Sequence, residues 1–392
     1  MRRLSPTQRT LRRHLFTLLR RQGLDLGNDG LIVKSQLDKA AIRRIHFFSR
    51  QERLRDEAAF IQSWLPRISK YLASGSDVVP DRIDPYPILI GDGNRELAAL
   101  FRIASLWWSV PVSRGFGRRL RFVVLDRANG KLIGLIGLTD PVFNLRTRDD
   151  WIDWDTSDRE KRLAHVMDAY VLGAVPPYNR LLGAKLLAFL LVSDHVRKAF
   201  LKRYRASRSV ILERSFDGRL ALVTATSALG PSSIYNRLRF EGLPLFEPVG
   251  LTEGYGHFHL ANGTFDKLRD YVQLRRDDEF KRYRFGRGPN YRMRVVRKAL
   301  RYLRLEPDLL RHGIQRAVYV APLAHNAAAF LRGDAERLKW YKRPMSVLVD
   351  LWRERWLLPR AGRDESFRIF DRREWATILT ADKARPTQIP DE

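Results

Sequence analysis

The chain has 392 residues, 44% of them apolar, enough for two or three domains with real cores. Its 72 Lys plus Arg against 44 Asp plus Glu leave a net charge of +28, which attracts polyanions, nucleic acid being the commonest large one in a cell. With no cysteine, disulfide scaffolds, cysteine zinc sites and thiol nucleophiles are excluded. The first stretch, MRRLSPTQRTLRRHLFTLLRRQG, is basic but has neither the apolar centre nor the cleavage site of a secretory signal. No apolar run reaches the length of a membrane span, and the expectation is a soluble, cytoplasmic protein.

Residues 7–70 carry apolar side chains at three- and four-residue spacing (Leu11, Leu15, Leu18, Leu19) with arginines between them, predicting amphipathic helices with a basic outer face. ASGSDVVPDRIDP breaks this pattern and sets a boundary near Asp81, so 1–80 reads as a basic helical region. PYPILI predicts a strand, and GDGNRELAALFRIASLWW a helix capped by Asp92 or Asn94. RLRFVVLD and KLIGLIGL, joined by RANG, predict a hairpin. A polar insertion, RTRDDWIDWDTSDREK, precedes the strand HVMDAYVLGAV, a turn and a long helix to about Tyr204. LALVTATSAL then predicts a strand, SSIYNRLRF a short helix and PVGLTEGYGHFHL a strand pair around Gly254. The core is drawn as 81–265. Residues 266–392 read as a basic, mainly helical region with a polar tail from about Ala381.

This order of elements resembles the acyl-CoA N-acyltransferase fold known as GNAT over about 170 residues, 85–260. The resemblance implies an α+β fold, a mixed sheet flanked by helices, in which the fourth strand leads into a phosphate-binding turn. Such a turn works because a helix start presents unpaired N–H groups and partial positive charge. The family pattern of Arg or Gln, two residues, Gly, one residue and Gly or Ala falls on Arg180, Leu181, Leu182, Gly183, Ala184 and Lys185. Lys185 departs from the pattern: its long side chain would either crowd a pyrophosphate or pair with it. The cofactor implied is acetyl-CoA. Tyr235 matches the tyrosine that protonates the leaving thiolate in many GNAT enzymes, and Asp168 is the acidic residue best placed as general base. The plain alternatives are a packing glycine and a half-buried tyrosine on a scaffold without acyl transfer.

Other constellations point elsewhere. Arg114, Arg118 and Arg119 surround two glycines before a strand, as an anion or nucleic-acid contact or as a plain basic loop. Arg275, Arg276, Arg282, Arg284, Arg287, Arg292 and Arg294 interleave with Tyr283, Phe285 and Tyr291, as if to hold phosphates while the rings stack on unpaired bases. The acidic run Asp149, Asp150, Asp153, Asp155 and Asp158 suits either a magnesium-dependent nuclease or helix caps and arginine partners. His257 and His259 share one side of a strand but have no third ligand at a suggestive spacing, so no metal is expected.

SLWWSVPVSRGFGRRLRFVVLD, LIGLIGLTDPVFNLRTRDDWIDWD, MDAYVLGAVPPYNRLLGAKLLAFL, RHGIQRAVYVAPLAHNAAAFLRG and WRERWLLPRA together resemble the A-protein family of the Druantia anti-phage defence system. That likeness covers most of the chain. It implies a bacterial protein acting beside other defence subunits, among them a helicase-like partner, and it supplies no reaction. Two readings result: a nucleic-acid-binding defence subunit on a GNAT-like scaffold, and an acyltransferase acting with acetyl-CoA on a nucleic-acid or phage-derived substrate.

Overall fold

The computed structural model describes residues 3–21, 39–108, 110, 112, 117–205, 216–256, 260, 263–275, 291–310 and 313–380. Among them, seven strands form one mixed sheet in the order β1-β2-β3-β4-β5-β9-β8. These are β1 (Pro85–Leu89), β2 (Arg119–Asp126), β3 (Lys131–Thr139), β4 (Val166–Ala174), β5 (Leu222–Ser227), β8 (Glu247–Leu251) and β9 (Ala317–Pro322). The pair β4 and β5 is parallel and its neighbours are antiparallel. A separate two-stranded ribbon joins β6 (Arg239–Phe240) to β7 (Leu243–Pro244).

Local chemistry accounts for the first half. Asn94 caps α3 (Arg95–Ala104), its side chain accepting from the Leu97 N–H at 3.0 Å. The RANG turn closes the hairpin of β2 and β3 with Gly130 at positive φ. Asn129 is tied in from both sides, donating to the Asp77 carbonyl and to the Tyr178 hydroxyl.

The structure corrects two expected elements and completes a third. Among the described residues no strand pair forms around Gly254, residues 257–259 lying outside them: β8 ends at Leu251 and pairs with β9, which lies far along the chain beyond residue 265 and enters the sheet between β5 and β8. The long helix is two, α6 (Gly183–Leu191) and α7 (Asp194–Tyr204), because the Asp194 N–H leaves the helical ladder to donate to the Arg343 carbonyl at 2.9 Å. The polar insertion is ordered as α4 (Arg146–Ile152) and α5 (Thr156–Arg162).

Both sheet faces are covered. One carries α6 and α7, the short α8 (Ser233–Asn236) and the pair α12 (Met345–Trp352) and α13 (Leu358–Ala361), joined by a π-helical turn. The other carries α3, the second half of α2 (Lys39–Ile68) and α14 (Glu374–Ile378) over β2 and β3, with α4 and α11 (Ala327–Arg332) over β5 and β9. A further apolar cluster joins α1 (Pro6–Arg21) and the start of α2 to α9 (Gly263–Leu274) and α10 (Tyr291–Tyr302). The beginning of the chain and the residues after 260 thus share one helical lobe. No helix among the described residues is long and apolar enough to cross a membrane.

Candidate functional site

Three places gather the residues singled out in the sequence. The first is the turn after β4. Leu182 takes a left-handed conformation and opens α6. Gly183 is required there by packing: a Cβ would lie 2.7 Å from the Tyr178 carbonyl oxygen and 2.9 Å from Ala174 Cβ. The chain's own C-terminal helices sit on this turn. Trp352 Nε1 donates to the Leu182 carbonyl at 3.1 Å, Arg360 donates to the Arg180 carbonyl, and the Arg180 guanidinium donates to the Ser366 carbonyl. Lys185 is buried; its Nζ donates to the Ser233 carbonyl at 2.7 Å and lies 5.6 Å from the Trp356 ring. Burial, with Arg237 and Arg355 nearby, pushes its amine down to about 8.

The second place is the sheet itself. Strand register aligns Arg119 with Thr139, Thr139 with Asp168 and Asp168 with Thr224, so one row of polar residues crosses four strands on a single face. In the next row Arg121 pairs with Gly137, and β4 bulges, leaving Tyr170 as the extra residue. Gly137 permits this, since its missing Cβ would lie 2.8 Å from the Tyr170 ring and 3.0 Å from Phe101. Beyond Ala169, β4 no longer pairs with β5.

Asp168 accepts from the Val142 N–H at 3.1 Å and from the Thr224 hydroxyl. Burial pushes its carboxyl up to about 7 against the pull of Arg148, with Asp140 and Asp149 adding to the rise. The folded protein therefore keeps a proton that the unfolded chain has released between about pH 4 and 7. Asp168 contributes its stability fully below pH 4 and loses it as pH rises to about 7, by about 1.4 kcal/mol per unit at most. Replacing Asp168→Asn should remove that slope: urea melts should show a larger gain over the parent at pH 8 than at pH 5, and equal shifts would contradict this assignment.

Tyr235 lies on the opposite side of the sheet. It packs between Phe246 and Tyr319, each ring centroid 4.8 Å away, in the core beneath α6. Tyr319 belongs to that face, whereas Val320, paired with Thr224, belongs to the face of Asp168. The sheet thus separates the two residues proposed as acid and base.

Around Asp168, the acidic run is structural. Asp149 is buried, accepts from Arg148 at 2.8 and 2.5 Å and from Arg159 at 2.8 Å, and Arg148 also donates to the Val142 and Phe143 carbonyls. Asp155 caps α5, accepting from the Asp158 N–H, Asp150 pairs with Arg146, and Asp153 is the left-handed residue ending α4. No group of three or more metal-ligating side chains occurs among the described residues. Arg118 is absorbed in the same region. Asp140 holds it at 2.7 Å, it donates to the Ala164 carbonyl, and Phe200, Tyr204 and Phe216 surround its guanidinium at 5.1 to 5.6 Å.

The third place is the helical lobe. A capping box starts α1: Ser5 Oγ accepts from the Gln8 N–H and Gln8 Oε1 from the Ser5 N–H, with Pro6 at the first helical position. Gln8 and Arg12 then reach across to the end of α10, donating to the Tyr302 carbonyl and to those of Leu303 and Arg304 just beyond it, at 2.8 to 2.9 Å. Neither helix contains Asp or Glu. Together they carry ten cations: Arg9, Arg12, Arg13, Arg20 and Arg21 on α1, and Arg292, Arg294, Arg297, Lys298 and Arg301 on α10. Arg9, Arg13, Arg20, Arg292, Arg294, Arg297 and Arg301 are exposed. On α9 both carboxylates, Asp266 and Asp270, are held by Arg269. Arg275 is exposed between the Tyr271 and Tyr302 rings. Tyr291 is half-buried with its ring against Phe265. Arg114, Arg276, Arg282, Tyr283, Arg284, Phe285, Arg287, His257 and His259 lie outside the described residues. The basic outer face of α1 was predicted, whereas its packing against α9 and the end of α10 escaped sequence reasoning.

Comparison with known proteins decides the family. "Druantia protein DruA" matches residues 36–333, and the curated Druantia protein DruA of Escherichia coli (strain UMEA 4076-1) is 40% identical over 379 residues, 96% of this chain and 93% of that protein. The chain belongs to the DruA family. The DruA match takes in the whole sheet, α9 and α10, and ends at Gly333, before the helices that sit on the turn, whereas the alignment to the Escherichia coli DruA covers nearly the full chain. No solved structure matches.

Proposed function

We propose that this DruA-family protein is a nucleic-acid-binding component of a Druantia anti-phage defence system, holding phosphates on the arginines of α1 and α10. The observation that carries this reading is that two acid-free helices share one apolar cluster, α1 being tied by Gln8 and Arg12 to the end of α10, with exposed arginines on each. Such a surface attracts a polyanion without reading its sequence, by neutralising phosphates and releasing counterions. Base stacking is a lesser part, because Tyr291 is turned into the lobe. Other defence subunits, a helicase-like protein among them, are the expected cytoplasmic partners.

The scaffold is GNAT-like on this reading. Support comes from the parallel β4 and β5, their divergence past the bulge, and β9 inserted between β5 and β8. Acyl transfer is not part of the proposal, because Trp352, Arg360 and Lys185 occupy the turn where a pyrophosphate would sit. Calorimetric titration with acetyl-CoA should give no heat, and saturating cofactor should not raise Tm. Tight binding would favour the alternative, an acetyl-CoA-dependent acyltransferase. With nucleic acid, affinity that collapses as salt rises supports the proposal, and salt-independent affinity overturns it.

A further inference from the structure

Residues 338–342, LKWYK, set two rings between two lysines a few residues after α11. Their backbone is pinned to the end of β9 and the turn beyond it. Ala324 and Trp340 form an antiparallel bridge, the Tyr341 N–H donates to the Leu323 carbonyl at 3.2 Å, and the His325 N–H donates to the Lys339 carbonyl at 2.8 Å. Asn326 accepts from the Lys339 N–H and donates to the Arg337 carbonyl, each at 2.8 Å. With these main-chain groups bonded, the stretch is ordered before any ligand arrives.

Both rings carry a flat polar group. The Tyr341 ring lies 4.0 Å from the ring of the exposed His325 and 4.1 Å from the guanidinium of the buried Arg343. Trp340 is half-buried against the core, with the Arg197 guanidinium of α7 above its ring at 4.6 Å. The start of α7 is tied to the same stretch by the Asp194 N–H, which donates to the Arg343 carbonyl. The carboxylates nearby are engaged: Asp194 holds Arg197 at 3.2 Å, and Asp194 and Glu241 act on Arg343. Lys198, Lys339 and Lys342 are exposed, and among the described residues none of the three pairs with a carboxylate.

We propose that this surface binds an unpaired strand of nucleic acid, its phosphates on Lys198, Lys339 and Lys342 and its bases stacked on His325 and on the guanidinium of Arg197. Unpaired strands are held by cations that follow the backbone together with flat groups that take the bases, and both occur here in one run of contacts. A base stacks on the plane of an imidazole or guanidinium, and the ring beneath each of these fixes its tilt. A duplex keeps its bases inside and would gain only the lysine contacts. Lysines suit a flexible backbone met as point charges, with no bidentate register to satisfy. The proposal rests on the nucleic-acid reading above for the class of polyanion, and it supplies the base contacts that the lobe lacks, since Tyr291 is turned inward there. It uses none of the lobe's residues.

Photocross-linking on the full-length protein is the direct test. Single strands of DNA and of RNA carrying 5-iodouracil should cross-link at His325, Trp340 or Tyr341, read by mass spectrometry of the digest, and the strand that cross-links names the sugar. Cross-links found only elsewhere overturn the proposal, and this arm needs only the unaltered protein. In anisotropy, the triple variant Lys198→Gln, Lys339→Gln, Lys342→Gln should weaken a labelled unpaired oligonucleotide about tenfold or more. His325→Ala should weaken it about fivefold or more and leave a duplex of the same length unchanged. The lobe variant Arg292→Gln with Arg294→Gln and Arg301→Gln separates the two readings. If it loses the duplex while both surface variants keep the unpaired strand, this proposal fails and the lobe stands. If the surface variants lose the unpaired strand while duplex affinity stays level with salt, the lobe reading fails and this proposal stands.

Discussion

Neutralising Arg292, Arg294 and Arg301 together, each to Gln, should weaken nucleic-acid binding about 100-fold at low salt and flatten its salt dependence. All three side chains are exposed on α10, apart from its buried stripe of Val295, Val296, Ala299 and Leu300, and only Arg292, 4.8 Å from the Phe265 ring centroid, gives up a ring contact on substitution among the contacts shown for them. At about 1 kcal/mol per exposed charged contact, three contacts amount to about two decades of affinity. The slope of log K against log salt should fall by about 3, because each arginine removed leaves one phosphate's counterions in place. Competing sequences should be affected alike, since phosphate contacts carry no sequence information. The matching Arg→Lys set should keep most of the affinity. Fluorescence anisotropy with labelled duplexes reads both quantities; an unchanged slope would place the interface elsewhere.

The second large effect concerns stability. Asp149→Ala should cost about 3–5 kcal/mol, because it leaves the fully buried Arg148 guanidinium and the nearly buried Arg159 without their shared carboxylate. Asp150→Ala, the next residue along, removes only an exposed pair with Arg146 at 3.6 Å and should cost less than about 1 kcal/mol. Urea denaturation of the two variants measures the contrast. A magnesium nuclease built on this acidic run predicts the reverse emphasis, with both variants stable and both inactive.

Much of the fold was legible where local chemistry decides it. The RANG hairpin, the Asn94 cap and the strand leading into the Gly183 turn all stand as the residues predicted. AVYVAP escaped notice because every one of its six residues is buried, so it lacks the alternation that marks a strand and reads like a piece of apolar helix. The break between α6 and α7 has no Pro or Gly to announce it; it depends on a bond to Arg343, distant in the chain. The same distinction runs through the site. Arg118 read as an anion or nucleic-acid contact or as part of a plain basic loop, and its partners come from four other segments, at Asp140, Ala164, Phe200 and Phe216. Gly183 matched a phosphate-binding pattern, yet Tyr178 and Ala174 alone explain its missing side chain. Lys185, the one departure from that pattern, is buried with its amine bonded to the Ser233 carbonyl of α8, a partner the sequence did not announce.

The most direct measurement is anisotropy of a labelled DNA or RNA duplex with the unaltered protein, titrated at salt concentrations from about 50 to about 200 mM. Phosphate-dominated binding through α1 and α10 predicts a straight line of log K against log salt, steep enough that several arginines must be engaged at once. Affinity that stays level across that range would contradict the account.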